Sequence, residues 1–267
     1  MEKVIRDAMY CLCVINGYLD KKIYRNTNEN LKEILSNYDF KNKNVLSILS
    51  SSDQLFSSYY LGAKNVDTFD TNILSYYFFF LKKWTILKNG KSYIPASNKE
   101  LLEIIKMHNN TKEENEAAYF WEYVLRNINI PLYYSNLFYI EPTIYSLPYE
   151  DNIEYLGKKI SNIYPNFYQF DLCESLNINK KYQIIILSNI LEYLYSKNNS
   201  KYQEIVALNI YNLLDDNGIA ISSNMTNCNY RKNQIFENYL EKIEGPILKK
   251  SLYNNENPIC YVYKKNN

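Results

Sequence analysis

One histidine, His108, serves the whole 267-residue chain. A serine–histidine or cysteine–histidine triad is therefore excluded unless that residue stands in the site. It lies in the polar run KMHNNTKEEN, which reads as a solvated surface. The cysteines, Cys11, Cys13, Cys173, Cys228 and Cys260, are odd in number, and none of their spacings is that of a zinc knuckle. They read as reduced thiols of a cytoplasmic protein, and no metal site is expected. An excess of one charge is missing too. With 30 Lys and Arg against 29 Asp and Glu, the chain lacks the basic surplus that contacts to a phosphate backbone use, so no nucleic-acid partner is expected.

Long hydrophobic runs are also absent. The most apolar stretch, ILSYYFFFL (73–81), falls far short of the roughly 20 residues a spanning helix needs. The N-terminal MEKVIRDAMYCLCVINGYL is interrupted by charge and has no small-residue cleavage site. No transmembrane segment is expected. The 29 tyrosines, alongside abundant Asn, Lys and Ile, fit an AT-rich coding bias, so a cluster of Tyr carries little functional information here.

What is present alternates between apolar strand-like runs and helical segments. Residues 1–43 read as a helical N-terminal lid segment, with Val4, Ile5, Met9, Tyr10, Cys13 and Val14 near a 3.6-residue period. Residues 44–267 read as a Rossmann-like domain. VLSIL (45–49) is a buried strand, DQLFSSYYLG a helix ending at Gly62, NVDTFD (65–70) a strand, and TNILSYYFFFLKKWTIL a helix opening on a Thr/Asn cap. Between about 88 and 164 the alternation lapses, which marks an insertion. It resumes with strands at 166–172 and 182–189, a helix stopped at Gly218, the strand IAISSNM, a helix NQIFENYLEKI, and two strands around NNENP. The expected fold is α/β, a doubly wound sheet with an antiparallel C-terminal edge hairpin.

In such sheets ligands bind outside the carboxyl ends of the strands. After the first strand come Ser50, Ser51, Ser52, Asp53 and Gln54, whose small side chains, hydroxyls and amide lead into a helix N-terminus. The second strand ends in Asp70, where an acid can accept from both ribose hydroxyls. The third ends in Asp171 and Leu172, suited to an adenine edge and ring. The fourth ends in LSNILEYL, which puts Ser188, Asn189 and Glu192 at the rim. Each feature alone is more often a cap or a turn; together they point to an adenosyl cofactor. The glycines of a dinucleotide G-x-G-x-x-G loop and of G-x-x-x-x-G-K-[ST] are missing, which favours S-adenosyl-L-methionine (SAM) over NAD or ATP.

LSILSSSDQLF, GAKNVDTFDTN, LKKWTI and IIILSNILEYL together resemble the betaine-lipid synthase 3-amino-3-carboxypropyltransferases and a group of short bacterial relatives. Both groups have the class I SAM-dependent methyltransferase fold, and the resemblance covers roughly 22–90 and 160–225. IYRNTNENL (23–31) resembles a Y-R-F-T-N-E-N-I element of the short relatives. The resemblance implies that Ser50 to Gln54 surround the methionine end of SAM, that Asp70, Thr71 and Asn72 lie on its ribose side, and that Asp171 lies near adenine. It also implies that Tyr24, Asn28 and Glu29 form a lid. Where the relatives usually carry glycine, this chain has Leu49 and Ser52. The long additional N-terminal region of the full lipid synthases has no counterpart, so the lipid substrate itself is not implied.

The expected activity is a SAM-dependent transferase on a small or lipid-like acceptor. Transfer of the 3-amino-3-carboxypropyl group comes first and methyl transfer second, with a non-catalytic SAM-fold binding protein as the competing reading. Glu29, Glu192 and Tyr24 are the catalytic candidates, and Asn28 and Tyr193 the candidates for contact with the acceptor. An [DN]-P-P-[YFW] element after the fourth strand would suggest a nucleic-acid amino methyltransferase; SNIL stands there instead.

Overall fold

The computed structural model describes residues 1–107, 111–139, 146–174, 178–191, 200–224, 236, 238–247 and 259–266. The helices are α1 (Glu2–Ile15), α2 (Leu31–Leu35), α3 (Asp53–Tyr60), α4 (Ile73–Asn89), α5 (Asn98–Lys106), α6 (Lys112–Arg126), α7 (Ile153–Ile160) and α8 (Ser200–Leu213). The strands are β1 (Ile23–Tyr24), β2 (Asn44–Ile48), β3 (Asn65–Asp70), β4 (Phe138–Tyr139), β5 (Phe167–Gln169), β6 (Tyr182–Ser188), β7 (Leu214–Asn224), β8 (Leu240–Ile247) and β9 (Ile259–Lys265).

Seven strands form one sheet in the order β5-β3-β2-β6-β7-β9-β8. β5, β3, β2, β6 and β7 pair in parallel, and β9 runs antiparallel between β7 and β8. The chain moves outward from β2 to β3 and β5, then returns to β6 on the other side of β2. The strand order thus reverses between β2 and β6. Alternation along the strands supplies both faces with apolar cover. Val45, Ile184 and Ile186 belong to one core with α1, α3, α4 and the 98–160 region; Leu46, Ile185 and Leu187 belong to the other with Val206, Ala207 and Ile210 of α8.

Four local expectations are corrected. Only 2–15 and 31–35 of the first 43 residues are helical, and Ile23–Tyr24 forms a strand on Phe138–Tyr139 of the 88–164 region. The run 166–172 forms a strand only over 167–169. The helix before Gly218 stops at Leu213, and Gly218 lies inside β7, where an added Cβ would stand 2.8 Å from the Tyr182 carbonyl oxygen. Leu240–Ile243, read as the end of a helix, begins β8. There Gly245 lets the strand pass Cys260 at a bulge, since a Cβ would lie 2.3 Å from the Cys260 oxygen.

Helix α4 carries most of the polar architecture. Asn72 caps it by accepting from the Leu74 amide, and Gly90 in the left-handed region (φ 60°) ends it. Its aromatic run sits in the core, yet Lys82 and Lys83 are buried with it. α1 packs on α6, which brings the N-terminal segment and the 98–160 region together on one side of the sheet. Among the described residues no helix is long and apolar enough to cross a membrane.

Candidate functional site

The carboxyl edge of the sheet places the candidates in a row. Asp171 follows β5, Asp70 ends β3, Ser50–Gln54 follow β2, and Ser188 and Asn189 stand at the end of β6, in the spatial order β5-β3-β2-β6. The row therefore spans the point where strand order reverses, the position at which open α/β sheets form their ligand crevice.

The loop after β2 has the backbone of a glycine loop without its glycines. Ser50 (φ 42°) and Ser52 (φ 69°) are both left-handed, and Ser188 at the end of β6 is as well (φ 53°). For a residue with a Cβ this conformation costs about 1–2 kcal/mol, so it persists only where the surroundings impose it. Those surroundings are visible. The Ser50 amide donates to Asp70 Oδ2 at 2.9 Å, and the Asn72 amide donates to Asp70 Oδ1 at 2.9 Å. Burial raises the Asp70 pKa above the ordinary aspartate range, and these amide bonds act in the opposite direction.

Ser51, between the two left-handed serines, is held at both of its polar ends. Its carbonyl accepts from Lys82 Nζ at 3.1 Å, and its hydroxyl donates to Asp53 Oδ2 at 2.8 Å. Asp53 does not face an open crevice. Its side chain is 0% exposed and accepts from Lys82 Nζ (2.6 Å), the Thr27 amide (2.8 Å), Ser51 Oγ (2.8 Å) and the Tyr149 hydroxyl. These four donors make the Asp53 carboxylate a buried hub. Burial lowers the Lys82 pKa against the opposing effect of Asp53, and it pushes the Tyr149 hydroxyl well up, which keeps that hydroxyl a donor.

A second cluster closes the β2–β6 gap. Glu29, 2% exposed, accepts at Oε2 from Gln54 Nε2 (2.8 Å) and from Ser188 Oγ (2.7 Å). Asn72 Nδ2 donates to the Lys21 carbonyl at 3.0 Å. The segment 21–29 is therefore fastened at the end of β3, on the loop after β2 and at the end of β6. Tyr24 stacks on Tyr139 with centroids 4.8 Å apart, and Asn28 is half-buried between Thr27 and Glu29. Two polar atoms of the loop, Ser52 Oγ and Gln54 Oε1, are buried with no hydrogen-bond partner among the described residues. Such groups are costly to leave unpaired, and a polar ligand at the loop would satisfy them.

The remaining candidates divide. Asp171 opens a turn, accepting from the Cys173 amide at 2.9 Å, and is half-buried. Leu172 packs into the second core with its carbonyl bonded to Asn209, so its side chain serves packing. Thr71 is exposed, and Asn189 is half-buried beside Ser188. Glu192 and Tyr193, like His108 and Cys228, lie outside the described residues. Lys82, Tyr149 and Thr27 were not foreseen. A lysine pair inside the apolar α4 was the available signal for Lys82; Tyr149 was one of 29 tyrosines, and Thr27 contributes only its amide. A cavity of about 320 Å³ opens between Asn26–Thr27, Gly90–Tyr93 and Leu147, Glu150 and Ile153, and none of the cofactor candidates lines it.

No protein-family model and no curated protein matches the chain. Among solved structures it is similar to a TehB-like SAM-dependent methyltransferase from Corynebacterium glutamicum (10% identity, 99% of each chain, TM-score 0.42). It is likewise similar to the N-methyltransferase NodS from Bradyrhizobium japonicum in complex with S-adenosyl-L-homocysteine (8% identity, 97% of this chain and 98% of that one, TM-score 0.44). A third is the glycopeptide N-methyltransferase MtfA complexed with S-adenosyl-L-homocysteine (6% identity, 95% and 96%, TM-score 0.47).

Proposed function

We propose that the chain is a SAM-dependent transferase acting on a small or lipid-like acceptor. The observation that carries this reading is the row Asp171, Asp70, Ser50–Gln54 and Ser188 along one sheet edge across the strand-order reversal. The residues present fit the cofactor. Asp70 stands at the end of β3 beside Asn72, with the Ser50, Asn72 and Thr71 amides and the Ser75 side chain already bonded to its carboxylate, so a ribose hydroxyl would share or replace one of these donors. The orphaned Ser52 hydroxyl can donate to the methionyl carboxylate, and Gln54 Oε1 can accept from the ammonium. Asp171 is the candidate on the adenine side.

SAM supplies an electrophilic carbon activated by a sulfonium, and the protein decides which carbon meets the acceptor. The chain's own contribution is positioning in a water-poor site. Segment 21–29 is fastened along the sheet edge, and the Glu29 carboxyl group, oriented by Gln54 and Ser188, stands between the loop after β2 and the end of β6. There it can hold the acceptor's departing proton. Tyr24, at the stacked rim, shapes the entrance. The sequence resemblance makes 3-amino-3-carboxypropyl transfer the form to test first, with methyl transfer second.

Incubation with SAM and a metabolite extract, followed by mass spectrometry of the nucleoside product, distinguishes the two. Methylthioadenosine reports transfer of the aminocarboxypropyl group, and S-adenosylhomocysteine reports methyl transfer. A folded protein that binds neither SAM nor S-adenosylhomocysteine at millimolar concentration would overturn the reading.

A further inference from the structure

We propose that Lys82 and Tyr149 are positioning residues, which hold the glycine-free loop 50–54 in its left-handed form so that it can receive the cofactor. This rests on the cofactor reading above. Ser50 and Ser52 both take backbone conformations that a side chain disfavours, and Ser51 between them is the residue the hub grips. Lys82 Nζ holds the Ser51 carbonyl and, through Asp53, the Ser51 hydroxyl. It also reaches the Arg25 carbonyl at 3.2 Å, which ties the covering segment to the same nitrogen.

Tyr149 comes from the far side. It lies in the short turn of 3-10 helix Pro148–Asn152, is 0% exposed, and donates its hydroxyl to Asp53 Oδ1, the oxygen that also accepts from Lys82. Three separate parts of the chain, the 25–27 segment, α4 and the 148–152 turn, therefore converge on a single carboxylate beside the loop. In a glycine loop the left-handed backbone needs no such support. Here the support takes the place of the glycines, so replacing Ser52 by glycine should make the hub partly dispensable.

The test is a double-mutant cycle on Tyr149→Phe and Ser52→Gly, read by calorimetric titration with S-adenosylhomocysteine and by thermal unfolding without ligand. Tyr149→Phe removes one hydroxyl and keeps the ring, so the fold is retained. It is expected to weaken S-adenosylhomocysteine binding about tenfold, as loss of one charge-assisted hydrogen bond would. In the Ser52→Gly background the same change is expected to cost less than about twofold. The unfolding midpoints should show the same coupling, with Ser52→Gly raising the midpoint more beside Tyr149→Phe than alone.

Equal losses of affinity in the two backgrounds, or a Tyr149→Phe protein that binds as tightly as the parent, would overturn the proposal. If the parent protein binds no S-adenosylhomocysteine, the cofactor reading fails. The ligand-free midpoints then decide the hub separately: coupled midpoints retain its hold on the loop, and additive ones remove it.

Discussion

Lys82 and Lys83 stand side by side in α4, both 0% exposed, and each meets a carboxylate from a different part of the chain. Lys82 turns to the carboxyl edge of the sheet, 2.6 Å from Asp53, and also caps the carbonyls of Ser51 and Arg25. Lys83 turns to the 88–164 region, 3.4 Å from Glu114 of α6, with the Ile163 carbonyl at 3.1 Å and the Tyr164 ring at 4.2 Å. Burial lowers both lysine pKa values, and the partner carboxylate opposes it in each. A buried ion pair is weak evidence of stabilisation in itself, because desolvation offsets its attraction. What separates these two is the object held: a strained loop in one case, the packing of two helices in the other.

Lys82→Met should have the largest effect. It strands a fully buried aspartate, which costs about 3–5 kcal/mol in urea unfolding, and it frees the loop, so S-adenosylhomocysteine binding should disappear. Lys83→Met should cost about 2 kcal/mol, because Glu114 is the less tightly paired carboxylate and keeps a contact from Trp84 Nε1 at 3.5 Å. Its affinity for S-adenosylhomocysteine should stay within about twofold of the parent. Equal loss of binding in the two variants would show that the lysines are not functionally distinct.

A smaller effect follows from Asp70. Its folded pKa is raised above the ordinary 3.8 by burial, so the stability its protonated form contributes is present below the unfolded pKa and is lost as pH rises through the folded one. Ribose hydroxyls would donate to the ionised carboxylate and lower that pKa in the complex. Affinity for S-adenosylhomocysteine should therefore climb as pH rises from the acidic range through the Asp70 titration, and Asp70→Asn should flatten the profile. Titration across that range checks both. Smallest of all, Ser52→Gly should raise stability by about 0.5–1 kcal/mol, since relief of the left-handed serine slightly exceeds the entropy added to the unfolded chain. Differential scanning calorimetry without ligand reads that change.

The frame of the sheet was legible because it rests on local signals. Strands at 44–48 and 65–70 are short β-branched or aromatic runs bounded by turns, and α4 announces its Asn72 cap. The four strand-end candidates follow from that frame by position alone. The hub was not legible, because Asp53 reads as one of the loop residues facing a cofactor, Thr27 acts through its amide, and Tyr149 lies 96 positions from the carboxylate it meets. The helix expected at the end of NQIFENYLEKI failed for a related reason. Pairing of Leu240–Ile247 with β9 overrides local helix preference.

On the proposed reading, the row of groups on the carboxyl edge of the sheet binds an adenosyl cofactor, with Asp70 on its ribose side. Calorimetric titration of the parent protein and of Asp70→Ala with S-adenosylhomocysteine tests it directly. Saturable binding by the parent, lost in a still-folded Asp70→Ala protein, is the predicted result. Equal binding by both, or no heat from the folded parent at millimolar ligand, would contradict it.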